Sequence, residues 1–137
     1  MEELSIYTDG GSRGNPGNSA IGIVILDNDK NIILNHKEFL GIGTNNQAEY
    51  KAIIKALNLA KQLNPKKLRF YSDSELVVKQ LRGEYKINNP ELKRLNEEVS
   101  KLSKDYSCSF EHVRRTNEFI AIADALVNKA LDEELSL

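Results

Sequence analysis

The chain has 137 residues and a formal net charge of −1, with 40% hydrophobic and 28% charged residues. This composition is typical of a soluble globular protein, and the length excludes two domains of ordinary size. We therefore expect a single domain over residues 1–137. The balanced charge excludes a strongly basic nucleic-acid binder, so any binding to phosphates depends on a local patch or on metal ions, with a shallow salt dependence.

Apolar runs and cysteine content indicate the compartment. The longest apolar run, residues 20–26, is far too short to span a membrane, and the acidic N-terminus lacks the basic and apolar segments of a signal peptide. The single cysteine, Cys108, excludes an internal disulfide and fits a reducing cytoplasm. We interpret it as a small core residue on a strand. We expect a cytoplasmic monomer that needs no obligate protein partner and no membrane.

The first third of the chain predicts an antiparallel meander of three strands. Residues 4–8 alternate in polarity like a strand, and residues 20–26 and 32–40 are two further strand-like segments. Residues 9–17 are dense in turn-forming residues, which indicates a loop, and residues 27–31 form a polar hairpin connection.

Helices and strands alternate in the rest of the chain. Asn46 is a good N-cap with Glu49 in capping-box position, and Ser72 or Asp73 caps a second helix. The predicted elements are a helix from Asn46 to the Asn64-Pro65 pair, a strand over 67–72, helices to about 81 and over 90–104, a strand over 106–113 and a helix over 119–135. A meander followed by this alternation predicts an α/β fold, in which a mixed sheet carries helices on its faces.

Four carboxylates are predicted to converge at one end of this sheet. Asp9 ends the first predicted strand and Asp73 the fourth, so they lie side by side if those strands are parallel neighbours, at the edge where α/β sheets bind ligands. Glu49 in its helix points toward the sheet, and Asp124 near the start of the last helix can reach the same end. Clustered carboxylates favour Mg²⁺ or Mn²⁺, and two such ions about 4 Å apart can promote phosphodiester hydrolysis.

Each of these residues also has a structural interpretation. Asp9 before a glycine suits a turn, Glu49 suits a capping box and Asp73 suits an N-cap. Asp124 is a favourable charge near a helix N-terminus. Taken singly, none outweighs its structural interpretation, so the metal site depends on the four together and on the motifs that surround them.

Three segments resemble the motifs of type 1 ribonucleases H. Residues 7–17 read YTDGGSRGNPG, residues 44–52 read TNNQAEYKA and residues 71–81 read YSDSELVVKQL. Their order and spacing agree along essentially the whole chain. The resemblance implies a five-stranded mixed sheet in the order 3-2-1-4-5. It also implies endonucleolytic cleavage of the RNA strand of RNA–DNA hybrids by two ions of Mg²⁺, with Mn²⁺ as a substitute, leaving 3′-hydroxyl and 5′-phosphate ends.

The resemblance also assigns roles to side chains. Asp9, Glu49, Asp73 and Asp124 would bind the metal ions. Thr44 matches a position that holds a phosphate of the DNA strand, and Asn46 would be both a cap and a ligand contact. The groups implied along the minor groove, where 2′-hydroxyls distinguish RNA from DNA, belong to Gly10, Gly11, Ser12, Asn15, Asn45, Asn46 and Gln47. Ser74 is a further residue that the resemblance assigns to the substrate.

The last motif departs from the family pattern. Residues 112–124 read HVRRTNEFIAIAD, a longer segment than in the family, which suggests an altered loop or an earlier helix start. We retain Asp124 as the fourth carboxylate, with Glu118 as the alternative. The loop lacks a histidine after residue 116, so His112 or Arg115 is a candidate for proton transfer or product release, although His112 is equally well a plain strand-end residue. Asn117 is a further auxiliary candidate.

Larger members of the family carry a basic, tryptophan-bearing protrusion where this chain has only residues 82–89, and this chain has no tryptophan. We infer a compact subtype with a weaker basic surface, whose residues are equally well solvated helix positions: Lys79, Arg82, Lys86, Lys93, Arg94 and Arg114. One alternative function is a binding module that has lost catalysis, but a pure binder has no need to cluster acids. Another is a resolvase-type or transposase-type nuclease, which lacks the motifs at residues 9–17 and 44–46.

Overall fold

The computed structural model of the protein describes residues 2–135. In this range the elements are β1 (Glu3–Arg13), β2 (Gly17–Leu26), β3 (Ile32–Gly43), α1 (Asn45–Lys61), β4 (Lys67–Ser72), α2 (Glu75–Leu81), α3 (Pro90–Ser103), β5 (Ser107–His112) and α4 (Glu118–Leu135). The strands form one five-stranded sheet in the order β3-β2-β1-β4-β5. The predicted fold class and strand order are confirmed.

Strand pairing gives the sheet its mixed character. The first three strands form the predicted antiparallel meander. β4 pairs in parallel with both β1 and β5. β1 and β4 are therefore parallel neighbours, as the predicted approach of Asp9 and Asp73 requires. The last parallel pair of β1 and β4 is Tyr7 with Tyr71, two residues before Asp9 and Asp73.

Helices cover both faces of the sheet. On one face, Leu4 and Ile6 of β1 pack with α1, α2 and α3 in the main hydrophobic core, in which Tyr50 of α1 is fully buried. On the other face, α4 lies against β1, β2 and β3. Successive strand residues point to opposite faces, so Tyr7 and Asp9 face α4 while Ile6 faces the main core.

β1 is longer than the sequence predicts. Asp9 does not end the strand, because β1 continues in register with β2 to Arg13, and only residues 14–16 form the turn. The glycine content misled the prediction. A Cβ on Gly10 would lie 2.4 Å from the backbone carbon of Ala48, so this glycine permits close packing of α1 on the strand rather than a turn.

Helix caps also differ from the prediction. Thr44 caps α1: its hydroxyl accepts from the Gln47 backbone N–H, and the Gln47 side chain accepts from the Thr44 N–H, completing a capping box. Asn46 and Glu49 therefore have no part in the cap, and the predicted roles of both were wrong by two residues. Ser74, rather than Ser72 or Asp73, caps α2.

Asn117 caps α4. Its side-chain oxygen accepts from the N–H groups of Phe119 and Ile120, at 2.9 and 3.2 Å, and its carbonyl accepts from Ala121. This arrangement resolves the irregular last motif, since the longer segment is an earlier helix start rather than an extended loop.

Two further sequence expectations concern the membrane and the cysteine. Among residues 2–135, none of the helices has both the length and the apolar character that crossing a bilayer requires. Cys108 lies on β5, half-buried against the main core, as expected. Burial raises the pKa of its thiol to about 11, which makes the thiolate scarce at neutral pH.

Candidate active site

Three carboxylates meet at the end of the sheet where β1 and β4 cease to pair. Asp9 follows the last parallel pair on β1, Asp73 follows it on β4, and Glu49 enters from α1. One oxygen from each of the three lies within 4.8 Å of the others. The sequence prediction that these three residues converge is confirmed.

Burial makes this cluster unfavourable without a cation. Asp9 and Glu49 are only 8% and 7% exposed. Burial, followed by the charges of Asp73 and Asp124, raises the pKa of Asp9 to about 8. Burial and the Asp9 charge hold the pKa of Glu49 well above its ordinary value. The one compensating contact of Glu49 is the Gly10 backbone N–H, which donates to its Oε1 at 2.7 Å.

The donor set fits a hard divalent cation. All three side chains offer oxygen, which Mg²⁺ and Mn²⁺ prefer to nitrogen or sulfur. Burial raises the pKa of Asp73 as well, although the nearby Arg115 guanidinium opposes the effect. A bound cation would favour the ionised form of all three groups and remove the repulsion among them.

Asp124 approaches the cluster from α4. It lies near enough for its charge to raise the pKa of Asp9, and it borders the same cavity as the other three carboxylates. In contrast to Asp9 and Glu49, it is an exposed residue and lies outside the three-carboxylate group. Glu118 borders a different cavity, beside Tyr7 and Lys30. The geometry therefore favours Asp124 over Glu118 as the fourth carboxylate.

The open cavity at the cluster has a volume of about 460 Å³. Several residues that the resemblance assigns to the substrate line this cavity together with the four carboxylates, namely Gly10, Gly11, Ser12, Asn45, Asn46 and Ser74. Thr44, Gln47 and Asn15 are not among the described lining residues. Thr44 and Gln47 are engaged in the cap of α1, and Asn15 is connected to the cavity through Asn45.

Hydrogen bonds hold the β1–β2 turn to the start of α1. The side-chain oxygen of Asn45 accepts from the Ser12 N–H at 2.8 Å and from its hydroxyl at 3.1 Å. The Asn45 N–H donates in turn to the side-chain oxygen of Asn15 at 3.0 Å. Since the oxygen of the Asn45 amide is engaged, its NH₂ group is the end left to donate to a ligand.

The auxiliary residues fall into two groups. Arg115 lies at the cavity, with its Nε 3.9 Å from an oxygen of Asp73, and its side chain is 86% exposed. His112 ends β5 in an exposed position, near enough for its charge to lower the pKa of Asp73. Asn117 is accounted for as a helix cap, and Glu118 is remote from the cluster.

The sequence reasoning missed an aromatic stack behind the carboxylates. The rings of Tyr7 and Tyr71 stack with centroids 4.7 Å apart, and Phe119 packs on Tyr7 at 5.1 Å. Tyr7 and Phe119 lie on the elements that carry Asp9 and Asp124, and Tyr71 lies on β4, which ends one residue before Asp73. The two tyrosines could have been found from the sequence, because each precedes an aspartate by two residues and therefore shares its face of the strand.

Two more polar residues at the cavity were missed. Arg13 and Asn128 both line it. The sequence offered one signal for Asn128, its position four residues after Asp124 on a helix, which places both on one face.

A mixed sheet in this order, with acidic residues collected where its central parallel strands end, is the architecture of ribonuclease H-like proteins. Comparison with known proteins agrees. The profile of the reverse transcriptase-like family matches residues 7–130. A ribonuclease HI from Halobacterium salinarum is 43% identical over 129 residues, which are 93% of this chain and 63% of that protein. The chain thus spans somewhat less than two thirds of this curated relative.

Solved structures narrow the class to a family. The crystal structure of RNase H1 from Halobacterium salinarum superimposes with a TM-score of 0.91 at 39% identity, covering 96% of this chain and 98% of that one. LC11-RNase H1, isolated from compost by a metagenomic approach and crystallised with an RNA/DNA hybrid, gives a TM-score of 0.90 at 38% identity, covering 96% and 99%. The chain belongs to the type 1 ribonuclease H family.

Proposed function

We propose that the protein is an endoribonuclease that hydrolyses the RNA strand of RNA–DNA hybrids with the help of divalent metal ions. One observation carries the proposal: Asp9, Glu49 and Asp73 bring carboxylate oxygens within 4.8 Å of one another in a cavity that Asp124 also borders. The family and the hybrid bound by the related LC11 enzyme support this choice of substrate. We further propose that the protein acts as a cytoplasmic monomer.

The carboxylates are the residues that would hold the metal. Asp9 and Glu49 are the buried members of the set, Asp73 is partly exposed, and Asp124 supplies an exposed oxygen ligand from α4. Two ions of Mg²⁺, with Mn²⁺ as a substitute, would supply an activated water and stabilise the departing 3′ oxygen, so that the products carry 3′-hydroxyl and 5′-phosphate ends.

The chain's own groups would orient the hybrid. The start of α1 and the β1–β2 turn form one hydrogen-bonded surface beside the carboxylates, through Ser12, Asn15 and Asn45. The free NH₂ group of Asn45 can donate to a 2′-hydroxyl, a contact that only RNA offers. Asn46, which has no part in the cap, lines the same cavity and is available for the hybrid.

Arg115 and His112 are the candidates for proton transfer or product release in this proposal. The planar guanidinium of Arg115 suits the binding of a departing phosphate rather than proton transfer. The imidazole of His112 is of the side-chain type that most often transfers protons in catalysis.

The test is cleavage of end-labelled substrates. Incubation of RNA–DNA hybrid, double-stranded RNA and double-stranded DNA with Mg²⁺, with Mn²⁺ and with chelator should give cutting of the hybrid's RNA only, and only with metal. Asp9→Asn should abolish the cutting. Tight binding of the hybrid without cleavage by either metal would instead identify a binding module.

A pair of matched variants tests the fourth carboxylate. Asp124→Asn should lower cleavage at least 100-fold, because it removes a ligand of the metal set. Glu118→Gln should leave cleavage within about twofold, since surface changes away from a site have small effects. The reverse order of effects would assign the fourth position to Glu118.

A further inference from the structure

Arg13 links the end of β1 to α4 beside the carboxylate cluster. Its Nη1 forms an ion pair with Asp132 at 2.7 Å. Its Nη2 donates to the side-chain oxygen of Asn128 at 3.3 Å and to the Asn128 carbonyl at 3.4 Å. One guanidinium thus contacts two successive turns of the last helix.

The same two elements face each other again at the metal site. Asp9 and Arg13 are four residues apart on β1 and lie on one face of the strand. Asp124, Asn128 and Asp132 follow one another at intervals of four on α4 and lie on one face of the helix. Asp9 therefore meets Asp124 at one end of this contact, and Arg13 meets Asn128 and Asp132 at the other.

The chemistry of Arg13 fixes the orientation of the Asn128 amide. Arginine only donates hydrogen bonds, so the amide oxygen must face it and the NH₂ group must face the other way. That NH₂ group donates to the Asp124 carbonyl at 3.1 Å and reaches the Asp124 Oδ2 at 3.5 Å. A directed chain of contacts therefore runs from Arg13 through Asn128 to the Asp124 carboxylate.

The fourth carboxylate needs such support. Asp124 is exposed, and it lies against Asp9, whose like charge repels it. An ion pair between exposed groups adds little to stability, and the side chains of Arg13 and Asp132 are 39% and 67% exposed. The contribution of Arg13 is therefore to placement rather than to folding.

We propose that Arg13 and Asn128 are positioning residues that hold the Asp124 carboxylate at the metal site. The inference rests on the proposed function for its catalytic consequence, but its main prediction concerns metal binding without substrate. Arg13→Gln and Asn128→Ala should each weaken the binding of Mn²⁺ about tenfold, in the range found for groups that orient metal ligands. Arg13→Lys keeps the charge but loses the two-pronged geometry of the guanidinium. Its affinity for Mn²⁺ should lie between those of Arg13→Gln and the wild type.

The experiment titrates the full chain with Mn²⁺ and measures free Mn²⁺ by electron paramagnetic resonance. Lys37→Gln is the matched control, because Lys37 pairs with Glu133 at 2.9 Å and so also ties α4 to the sheet, away from the carboxylates. It should lose similar thermal stability and bind Mn²⁺ like the wild type. Hybrid cleavage measured against Mg²⁺ concentration should show a raised half-maximal concentration for Arg13→Gln and Asn128→Ala, with kcat at saturating metal within about threefold of wild type.

Three results would overturn the proposal. Wild-type affinity for Mn²⁺ in both Arg13→Gln and Asn128→Ala would remove its basis. Equal weakening in Lys37→Gln would mean that any loosening of α4 suffices. A raised KM for the hybrid with unchanged metal affinity would assign Arg13 to the substrate instead. Failure of the wild type to cleave hybrid would contradict the proposed function but leave the Mn²⁺ comparison interpretable.

Discussion

Asp9 is the carboxylate that lies next to the other three carboxylates of the site. It is buried between the sheet and α4, beside Asp73 and Asp124. Any side chain at position 10 would collide with α1, so the residue after Asp9 is restricted to glycine. The close approach of α1 also lets the Gly10 N–H donate to Glu49. Two neighbouring residues thus set the distance between the strand and the helix that carries the second carboxylate.

Asp9→Asn should stabilise the metal-free protein while it abolishes cleavage. The pKa of Asp9 in the folded protein is raised to about 8. A raised pKa of an acid means that its contribution to stability is present below its ordinary pKa, near 4, and is lost as the pH rises to about 8. At pH 8 in chelator, the variant should therefore have a higher free energy of unfolding than the wild type.

Urea unfolding at pH 5 and pH 8 measures this effect. The wild type should lose more stability than Asp9→Asn between the two pH values. Asp27→Asn is the control, because hydrogen bonds from Asn31 and Asp29 lower the pKa of the Asp27 carboxyl. That carboxyl is ionised at both pH values, so the control should lose as much stability between pH 5 and pH 8 as the wild type. An equal loss of stability in wild type and Asp9→Asn would contradict the raised pKa.

At the scale of elements, different residues at the start of α1 cap the helix and line the cavity. Thr44 and Gln47 form the cap, while Asn45 and Asn46 line the cavity. The predicted cap, Asn46 with Glu49, and the observed cap, Thr44 with Gln47, both fit the residue preferences of a capping box, so those preferences alone do not distinguish them. The hydrogen bond of Glu49 with Gly10 decides which pair forms the cap, because it engages the Glu49 side chain away from the helix terminus.

Thr44→Ala should cost about 1 kcal/mol in the free energy of unfolding, since it removes the side-chain acceptor of the Gln47 N–H. Asn46→Ala should cost less than half of that and instead raise the KM for the hybrid several-fold. Chemical denaturation and steady-state cleavage of both variants check the two expectations. If Asn46→Ala proves the more destabilising change, Asn46 is a cap after all.

The elements from β4 onward were predictable with most of their ends to within one residue, whereas several ends of β1, β2, β3 and α1 were not. The strand order, the parallel neighbours β1 and β4, and three of the converging carboxylates follow from local patterns and from the motifs. The extension of β1 past Asp9 does not, because glycines are typical of turns and the reason for them here is the approach of α1. The start of α4 at Glu118 depends on the Asn117 cap and on Phe119 packing against Tyr7.

At the scale of the whole molecule, charge is balanced, and nine of the 19 basic side chains form ion pairs with carboxylates of the described residues. The net charge is −1. Near α2, Lys79 pairs with Glu75 at 2.9 Å and Arg82 with Glu84 at 2.8 Å. Residues 82–89 give only a short link between α2 and α3. Because the net charge is balanced and the cations at α2 are paired, we expect specificity to rest on the carboxylate site and on the groove contacts.

Binding of the hybrid should consequently depend only weakly on salt. A plot of log affinity against log salt concentration should have a slope no steeper than about −3, because each phosphate contact contributes about −0.9. Fluorescence anisotropy with the Asp9→Asn protein between about 50 and 200 mM salt gives the slope without cleavage. A slope as steep as that of strongly basic proteins would contradict this expectation. It would show that more basic side chains contact the phosphates of the hybrid than the ion pairs indicate.

Removing the carboxylate partner of one basic side chain at a time locates the protein surface that contacts the phosphate backbone of the hybrid. Glu84→Gln removes the partner of Arg82 and should tighten binding and steepen the slope by about one, if the α2 end faces the hybrid. Glu91→Gln removes the nearer carboxylate partner of Arg94 on α3, which keeps Glu98 at 3.9 Å. It is the control, because Arg94 borders a cavity with β3 and α1, away from the carboxylates. Equal effects of the two variants would reflect net charge alone. An effect confined to Glu84→Gln would place the hybrid along α2, where the ion pairs of this compact protein already hold the cations it needs.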